Sequence, residues 1–84
     1  MKQDVRAKRA EAQSIPVTLQ VGKSGVTDAT IAELVAQLKQ RRLVKVRLLP
    51  SQGGDAAAVA EDLAGKTDSI VVDVRGHTVV LWRQ

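Results

Sequence analysis

Hydrophobic residues in this chain follow two alternating periods, and that alternation constrains the fold more than any other feature of the sequence. In three short stretches every second residue is apolar, which is typical of strands that bury one face. A tight turn after the third stretch leads into one more strand. The strands predicted in this way are residues 17–21, 44–48, 70–74 and 78–83.

Helices are predicted between these strands. Apolar residues three and four positions apart indicate an amphipathic helix over residues 28–41, with Thr27 placed to cap its N-terminus. The same spacing follows Asp55, which is predicted to cap a second helix that ends at a left-handed Gly65. Residues 1–14 are basic, polar and rich in alanine, so we expect a weakly docked helix or a flexible segment there.

The predicted order β-α-β-α-β-β indicates an α+β two-layer sandwich formed by residues 15–84 as a single domain. Helices between successive strands favour parallel pairing of the first three strands, and the terminal hairpin adds one antiparallel strand. Two helices cover one face of this four-stranded mixed sheet, so the other face is expected to be open. The residues predicted on the open face are Thr18, Gln20, Lys45, Arg47 and Asp73.

Positive charge is concentrated in the first part of the chain. Residues 1–50 carry ten Lys or Arg and four Asp or Glu, whereas residues 51–84 carry three and five. This asymmetry favours a polyanionic partner, although a solvated basic surface accounts equally well for the total of +4. Trp82 is the only aromatic residue, so phosphate contacts are favoured over base stacking. We expect Trp82 to pack under the N-terminal segment or at the sheet edge.

Several function classes are disfavoured by what the sequence lacks. It has no cysteine, which excludes disulfides, thiolate zinc sites and thiol catalysis. His77 is the single histidine and lies in a predicted turn, so neither a structural metal site nor a Ser-His-Asp triad is indicated. No apolar run approaches the roughly 20 residues of a membrane span. We therefore expect a soluble, cytoplasmic, monomeric protein without enzymatic activity, cofactor or membrane partner.

The most informative local motif is Gly22-Lys23-Ser24-Gly25, between the first strand and the first predicted helix. Its glycines allow close backbone approach and Lys23 adds a positive charge, which suits a phosphate cradle, while a plain turn is the alternative. The phosphate loop of ATPases is excluded because Val17 stands where that motif needs glycine. Parallel strands bring this loop to the same edge as residues 51–54 and 75–77.

Further basic residues are candidates for phosphate contacts. Lys45 and Arg47 lie in a stretch without acidic residues and alternate with the buried positions of their strand. Arg75 follows the third strand and is expected near the glycine loop, with a surface ion pair to Asp73 as the alternative. The N-terminal segment adds four basic residues that either contact a polyanion or are simply solvated, namely Lys2, Arg6, Lys8 and Arg9.

Three segments together resemble the CRM domain, the YhbY-type RNA-binding module of ribosome maturation and chloroplast RNA splicing proteins. They are PVTLQVGKSGVTD from Pro16, LVKVR from Leu43 and GHTVVLWR from Gly76. The resemblance covers residues 15–83 and implies a fold similar to the C-terminal domain of translation initiation factor three. It also implies RNA contact through the GxxG loop, as in KH domains, and association of stand-alone members with precursors of the large ribosomal subunit. Trp82 departs conservatively from the tyrosine usual in the family.

The function expected from residues and resemblance together is non-catalytic binding of structured ribosomal or precursor RNA, in large-subunit assembly or RNA maturation, with a pre-ribosomal particle as the partner. The alternative is a protein-interaction module in an assembly complex, whose contacts would respond little to salt. The RNA-binding residues predicted are Gly22, Lys23, Ser24, Gly25, Lys45, Arg47 and Arg75.

Overall fold

The structure, a computed structural model, describes residues 2–22, 25–49 and 55–84. Lys23, Ser24 and the predicted loop at residues 51–54 therefore lie outside the described residues. The element order predicted from residue 17 onward is confirmed, and one N-terminal helix precedes it. The elements are α1 (Lys2–Ala12), β1 (Leu19–Val21), α2 (Asp28–Arg41), β2 (Leu43–Leu48), α3 (Ala56–Thr67), β3 (Ile70–Arg75) and β4 (Thr78–Trp82).

Side-chain caps fix where α2 and α3 begin. The Thr27 hydroxyl accepts a hydrogen bond of 3.2 Å from the Thr30 amide, and the Asp55 carboxylate accepts one of 3.1 Å from the Ala57 amide. Both predicted N-caps are confirmed. The predicted end of α3 at Gly65 is wrong, because the helix continues to Thr67 and Asp68 takes the left-handed conformation with φ 56°.

The four strands form one mixed sheet in the order β1-β2-β4-β3. β1 and β2 are parallel, and β4 runs antiparallel to both β2 and β3. The mixed four-stranded sheet is confirmed. The prediction of parallel pairing implied that β2 pairs with β3, and this is wrong, because the two strands do not pair. The hairpin instead folds β4 back between them, and this places all five residues of β4 against β2, from Leu43 opposite Trp82 to Arg47 opposite Thr78.

α2 and α3 cover one face of the sheet, and the larger hydrophobic core lies between these two helices and the sheet. The alternation predicted for β2 is confirmed, because Val44, Val46 and Leu48 are buried here. The helices contribute Leu34, Leu38, Leu63 and neighbouring alanines, and β4 contributes Val79 and Leu81.

α1 lies on the opposite face, which was expected to be open. Ala12, the last residue of α1, is 2% exposed and packs with Leu43, Val72 and Val80 in a second hydrophobic cluster. Trp82 and Val5 pack against the same cluster, so the prediction that Trp82 lies under the N-terminal segment is confirmed. The sheet is therefore covered by helices on both faces rather than by two helices on one face alone.

A β-bulge in β3 explains why Val72 reaches this second cluster. Val71 is opposite Leu81 and Asp73 is opposite Val80, so Val72 is the extra residue. The bulge turns Val72 away from the face that Val74 occupies, although strict alternation predicted one face for both.

The residues before β1 also depart from the predicted alternation. β1 begins only at Leu19, so the pattern of alternating faces does not extend back to Val17 and Thr18. The Thr18 hydroxyl donates a hydrogen bond of 2.6 Å to the Gln37 amide oxygen of α2, instead of lying on the open face. Val17, predicted to be in the core, lines a cavity beside Lys45.

Candidate nucleic-acid interface

The chain makes a tight turn from Gly22 to Gly25. The Gly25 amide donates a hydrogen bond of 3.0 Å to the Gly22 carbonyl, and Gly25 has φ 73°. Residues other than glycine rarely adopt this left-handed conformation, so the backbone itself favours glycine at position 25. Lys23 and Ser24, the predicted charged and polar members of the loop, lie outside the described residues.

Backbone hydrogen bonds place this turn at the same sheet edge as the β3–β4 hairpin. The Leu49 amide donates to the Val21 carbonyl at 3.1 Å, and the Leu48 amide donates to the His77 carbonyl at 2.7 Å. The ends of β1 and β2 and the hairpin tip are thus neighbours. Two of the three predicted loops therefore share an edge, and the third, residues 51–54, is not described.

Strand order separates the Gly22–Gly25 turn from Arg75 along this edge. β1 and β3 are the two outer strands, with β2 and β4 between them. Three strand spacings of about 4.8 Å place their ends about 14 Å apart. The turn and Arg75 therefore lie at opposite ends of one sheet edge. Arg75 was expected near the glycine loop, but the strand order does not make them neighbours.

Lys45 and Arg47 lie on the α1 face of the sheet, in the positions that alternate with the buried residues of β2. The Lys45 ammonium donates a hydrogen bond of 3.3 Å to the Ile15 carbonyl and is half-buried. Arg47 is exposed. Neither has a carboxylate within ion-pair distance in the part of the chain that the structure describes.

Arg75 makes the ion pair with Asp73 that the sequence offered as an alternative. Its guanidinium lies 3.9 Å from the Asp73 carboxylate, and its side chain is 72% exposed. A long, solvated pair of this kind contributes under about 1 kcal/mol to stability. The pair therefore leaves Arg75 available for an anionic ligand.

A cavity of about 520 Å³ brings these cations together, and we call it the α1 cavity. It lies between α1 and the sheet. Four basic side chains and one carboxylate line it, and these are Arg9, Lys45, Arg47, Arg75 and Asp73. Gln13 and Thr78 also line it, and no sequence signal indicated them, because the position of α1 on the sheet was not predictable.

Trp82 is not available for stacking on a base from the side that α1 covers. Its ring packs against the second cluster, and the Lys8 ammonium lies 5.4 Å from the ring centre. This geometry is typical of a cation–π contact. The Lys8 side chain, considered above as part of a basic arm, is thereby engaged in docking α1.

The described residues contain neither a cluster of metal ligands nor a membrane-spanning helix. Across residues 2–22, 25–49 and 55–84, no three His, Cys, Asp or Glu side chains are grouped to hold a metal ion. None of the described helices has the length and apolar character needed to cross a membrane.

Known proteins resemble this chain over nearly its whole length. A sequence model of the CRS1 / YhbY (CRM) domain matches residues 1–83. The Bacillus subtilis protein named "Probable RNA-binding protein YqeI" is 36% identical over 76 residues, which are 90% of this chain and 79% of that protein. A Staphylococcus aureus protein, described with its solution structure as a candidate RNA-binding protein, superimposes with a TM-score of 0.84 at 29% identity. That match covers 100% of this chain and 88% of the other.

Proposed function

The chain belongs to the CRS1 / YhbY (CRM) domain family, and from that premise we propose that it is a non-catalytic protein that binds structured RNA through the phosphate backbone. The observation that carries the proposal is the grouping of Lys45, Arg47 and Arg75 around one cavity with a single carboxylate. Cations grouped without matching acids attract a polyanion and gain from the counterions that it releases.

The Gly22–Gly25 turn is the second proposed contact. Among the described residues, the atom nearest to a Cβ added at Gly22 belongs to the Leu49 side chain, at 3.9 Å, which is ordinary contact, so packing against these residues does not demand glycine there. Close approach of a ligand backbone is a reason for glycine that remains. The proposed site therefore comprises the residues of the glycine motif, Gly22, Lys23, Ser24 and Gly25, together with Lys45 and Arg47 of β2 and Arg75 at the end of β3.

The RNA proposed is ribosomal RNA or its precursor, bound by a monomer in the cytoplasm during assembly of the large subunit. The support for this step is family membership, since stand-alone members of the family are associated with large-subunit precursors. Co-sedimentation with large-subunit precursor particles, compared with mature subunits, tests it. Equal recovery with both particles, or with neither, contradicts the assembly role.

Salt dependence tests the RNA-binding proposal itself. We expect the affinity for a folded fragment of large-subunit RNA to fall linearly on a log–log plot, with a slope of about −0.7 to −0.9 for each phosphate contacted. Affinity that barely responds to salt, together with capture of an assembly protein, would favour the alternative of a protein-interaction module.

A matched pair of double variants locates the interface. Lys45→Gln with Arg47→Gln removes two positive charges from the α1 face, and Lys39→Gln with Lys66→Gln removes two from α2 and α3 on the other side. We expect the first double variant to lower affinity and to flatten the salt slope by about 2. The second should bind nearly as the parent does. Equal losses would mean that net charge, rather than this face, governs binding.

A further inference from the structure

The α1 cavity has properties that backbone phosphate contacts alone do not use. Its volume of about 520 Å³ lies within the range of pockets that enclose small organic ligands. It is also roughly twice the size of two other cavities of this chain, which measure about 260 and 280 Å³. A phosphate group alone would leave most of this space empty.

Two of the four cations around the cavity are held at defined positions by neutral partners. The Arg9 Nε donates to the Val72 carbonyl at 3.3 Å, and the Lys45 ammonium donates to the Ile15 carbonyl at 3.3 Å. Bonds to carbonyls orient these side chains without cancelling their charge. Part of the cost of ordering them for an anion is therefore already met in the free protein.

The floor of the cavity is apolar, and its wall carries polar groups that are not in use. Val17, Val80 and Ala12 are the apolar residues that line the cavity, and we call these three residues its floor. The Gln13 amide and the Thr78 hydroxyl line the wall, and neither side chain makes a hydrogen bond to any residue that the structure describes. An apolar surface beside free donors and acceptors suits a planar heterocycle with polar edges.

We propose that the α1 cavity holds one unpaired nucleotide, with its phosphate on the surrounding cations and its base over the apolar floor. This inference rests on the proposed RNA-binding function and deepens it, because it assigns a position to a single base. The nucleotide comes either from a bulge or end of the bound RNA or from the free pool. An arginine such as Arg47 adds a guanidinium plane that stacks on bases.

The cavity favours a nucleotide over two other anionic ligands, inorganic phosphate and an acidic peptide. Inorganic phosphate would contact the cations but not Val17, Val80 or Thr78. An acidic peptide would match the charge, but it offers no flat face for the floor. Each of these anions serves as a competing probe in the test.

The first arm titrates the full chain with uridine 5′-monophosphate, ribose 5-phosphate, inorganic phosphate and a poly-glutamate peptide, followed by proton–nitrogen NMR. We expect the nucleotide to shift the amides of Gln13, Thr78 and Val80 and to bind about tenfold more tightly than ribose 5-phosphate, because the base contacts are lost in the latter. The other three nucleoside monophosphates are compared in the same way. Inorganic phosphate or peptide binding as tightly as every nucleotide would overturn the inference, as would unshifted cavity amides.

Two arginines of α1 provide the matched variants. Arg9 lines the cavity, whereas Arg6, one turn earlier, does not, and both are exposed. Arg9→Gln should weaken nucleotide binding about tenfold through loss of a charged hydrogen bond, and Arg6→Gln less than about twofold. Thr78→Val, which removes only a hydroxyl from β4, should weaken nucleotide binding without weakening phosphate binding. Equal effects of the two arginine variants, with nucleotide binding unchanged in Thr78→Val, would place the nucleotide outside the cavity.

The second arm separates this inference from the proposed function by comparing a paired RNA hairpin with the same hairpin carrying one bulged nucleotide. Tighter binding of the bulged form with shifts at the cavity amides supports the inference. Equal binding, with shifts at Gly22 and Gly25 alone, overturns the cavity site and leaves the RNA-binding proposal intact. If neither hairpin binds but the nucleotide still shifts the cavity amides, the proposed function fails and the cavity is a site for free nucleotides.

Discussion

The Lys8 ammonium lies 5.4 Å from the centre of the Trp82 ring, and this contact joins the first helix of the chain to its last strand. Nearby, the Arg9 Nε donates to the Val72 carbonyl. α1 is thus held by a cation–π contact, a hydrogen bond and the burial of Ala12. Its position matters for the proposed nucleotide site because α1 forms one side of the α1 cavity.

We expect Ala12→Asp to detach α1. Ala12 is 2% exposed and packs with Leu43, Val72 and Val80, so a carboxylate there loses its hydration. The basic side chains that line the α1 cavity offset this loss only in part, because burying an ion pair costs more in desolvation than its attraction returns, and the net cost should be about 2 kcal/mol or more. The single tryptophan reports the result directly, because its fluorescence emission should shift to the red as α1 leaves the ring. Far-UV circular dichroism should show that α2, α3 and the sheet persist.

Ala7→Asp is the control for that variant, since Ala7 is an exposed residue of the same helix. It should change the free energy of unfolding by no more than about 0.5 kcal/mol and leave the emission unchanged. If Ala12→Asp also retains the parent emission and stability, α1 is not docked in solution as described.

Two identical substitutions at glycines should have opposite effects on stability. A Cβ at Gly65 or at Gly76 meets no atom of residues 2–22, 25–49 or 55–84 within 4 Å, so packing against them is not a factor at either position. Gly65 lies within α3, where alanine is favoured by about 0.5–1 kcal/mol. Gly76 has φ 58°, where alanine costs about 1–2 kcal/mol. Urea unfolding measures both, and a loss of stability in Gly65→Ala would contradict the helical assignment of that residue.

The Gly65 example shows what local sequence patterns left undecided. α3 continues past this glycine, and two hydrogen bonds accompany its last turn. The Thr67 hydroxyl donates to the Leu63 carbonyl at 2.7 Å, and the Ser69 amide donates to the Ala64 carbonyl at 3.0 Å. A glycine at a plausible helix end is therefore outweighed by hydrogen bonds two to four residues further on. By contrast, the Thr27 cap and the spacing after it gave the correct bounds for α2.

The candidate site was predictable in part for a similar reason. Period-2 alternation placed Lys45 and Arg47 on one face correctly, because β2 is regular over six residues. Docking of α1 was not predictable, since its apolar contacts come from a few small or scattered residues such as Ala12 and Val5. The α1 cavity depends on that docking and on the bulge at Val72, and neither has a periodic signature.

The two glycines of the turn should separate a structural role from a ligand-contact role. Gly25→Ala forces alanine to φ 73° and should cost about 1–2 kcal/mol of stability. The new methyl of Gly22→Ala lies 3.9 Å from Leu49, its nearest neighbour among the described residues, so the stability of this variant should stay within about 0.5 kcal/mol of the parent. We nevertheless expect Gly22→Ala to weaken RNA binding about threefold or more, as measured by filter binding, because the added methyl keeps a phosphate away from the backbone. Parent affinity in a stable Gly22→Ala would remove the turn from the proposed interface.

Strand order predicts how losses at the two ends of the sheet edge combine. The turn follows β1 and Arg75 ends β3, so strand spacing places Gly22 and Arg75 about 14 Å apart, too far to be neighbours. Binding free energies lost in Gly22→Ala and Arg75→Gln should therefore add within about 0.5 kcal/mol in the double variant.

Arg47 and Arg75 line the same cavity, so Arg47→Gln with Arg75→Gln is the coupled comparison. Its losses should depart from additivity by about 0.5 kcal/mol or more, because the two guanidiniums act on one ligand. Filter binding of the three single and two double variants, at one fixed salt concentration, measures both cycles. Strong coupling between Gly22 and Arg75 would contradict the first expectation and would mean that the RNA contacts the whole sheet edge as one rigid body. Additivity between Arg47 and Arg75 would contradict the second and would mean that these two guanidiniums do not bind the same group of the ligand.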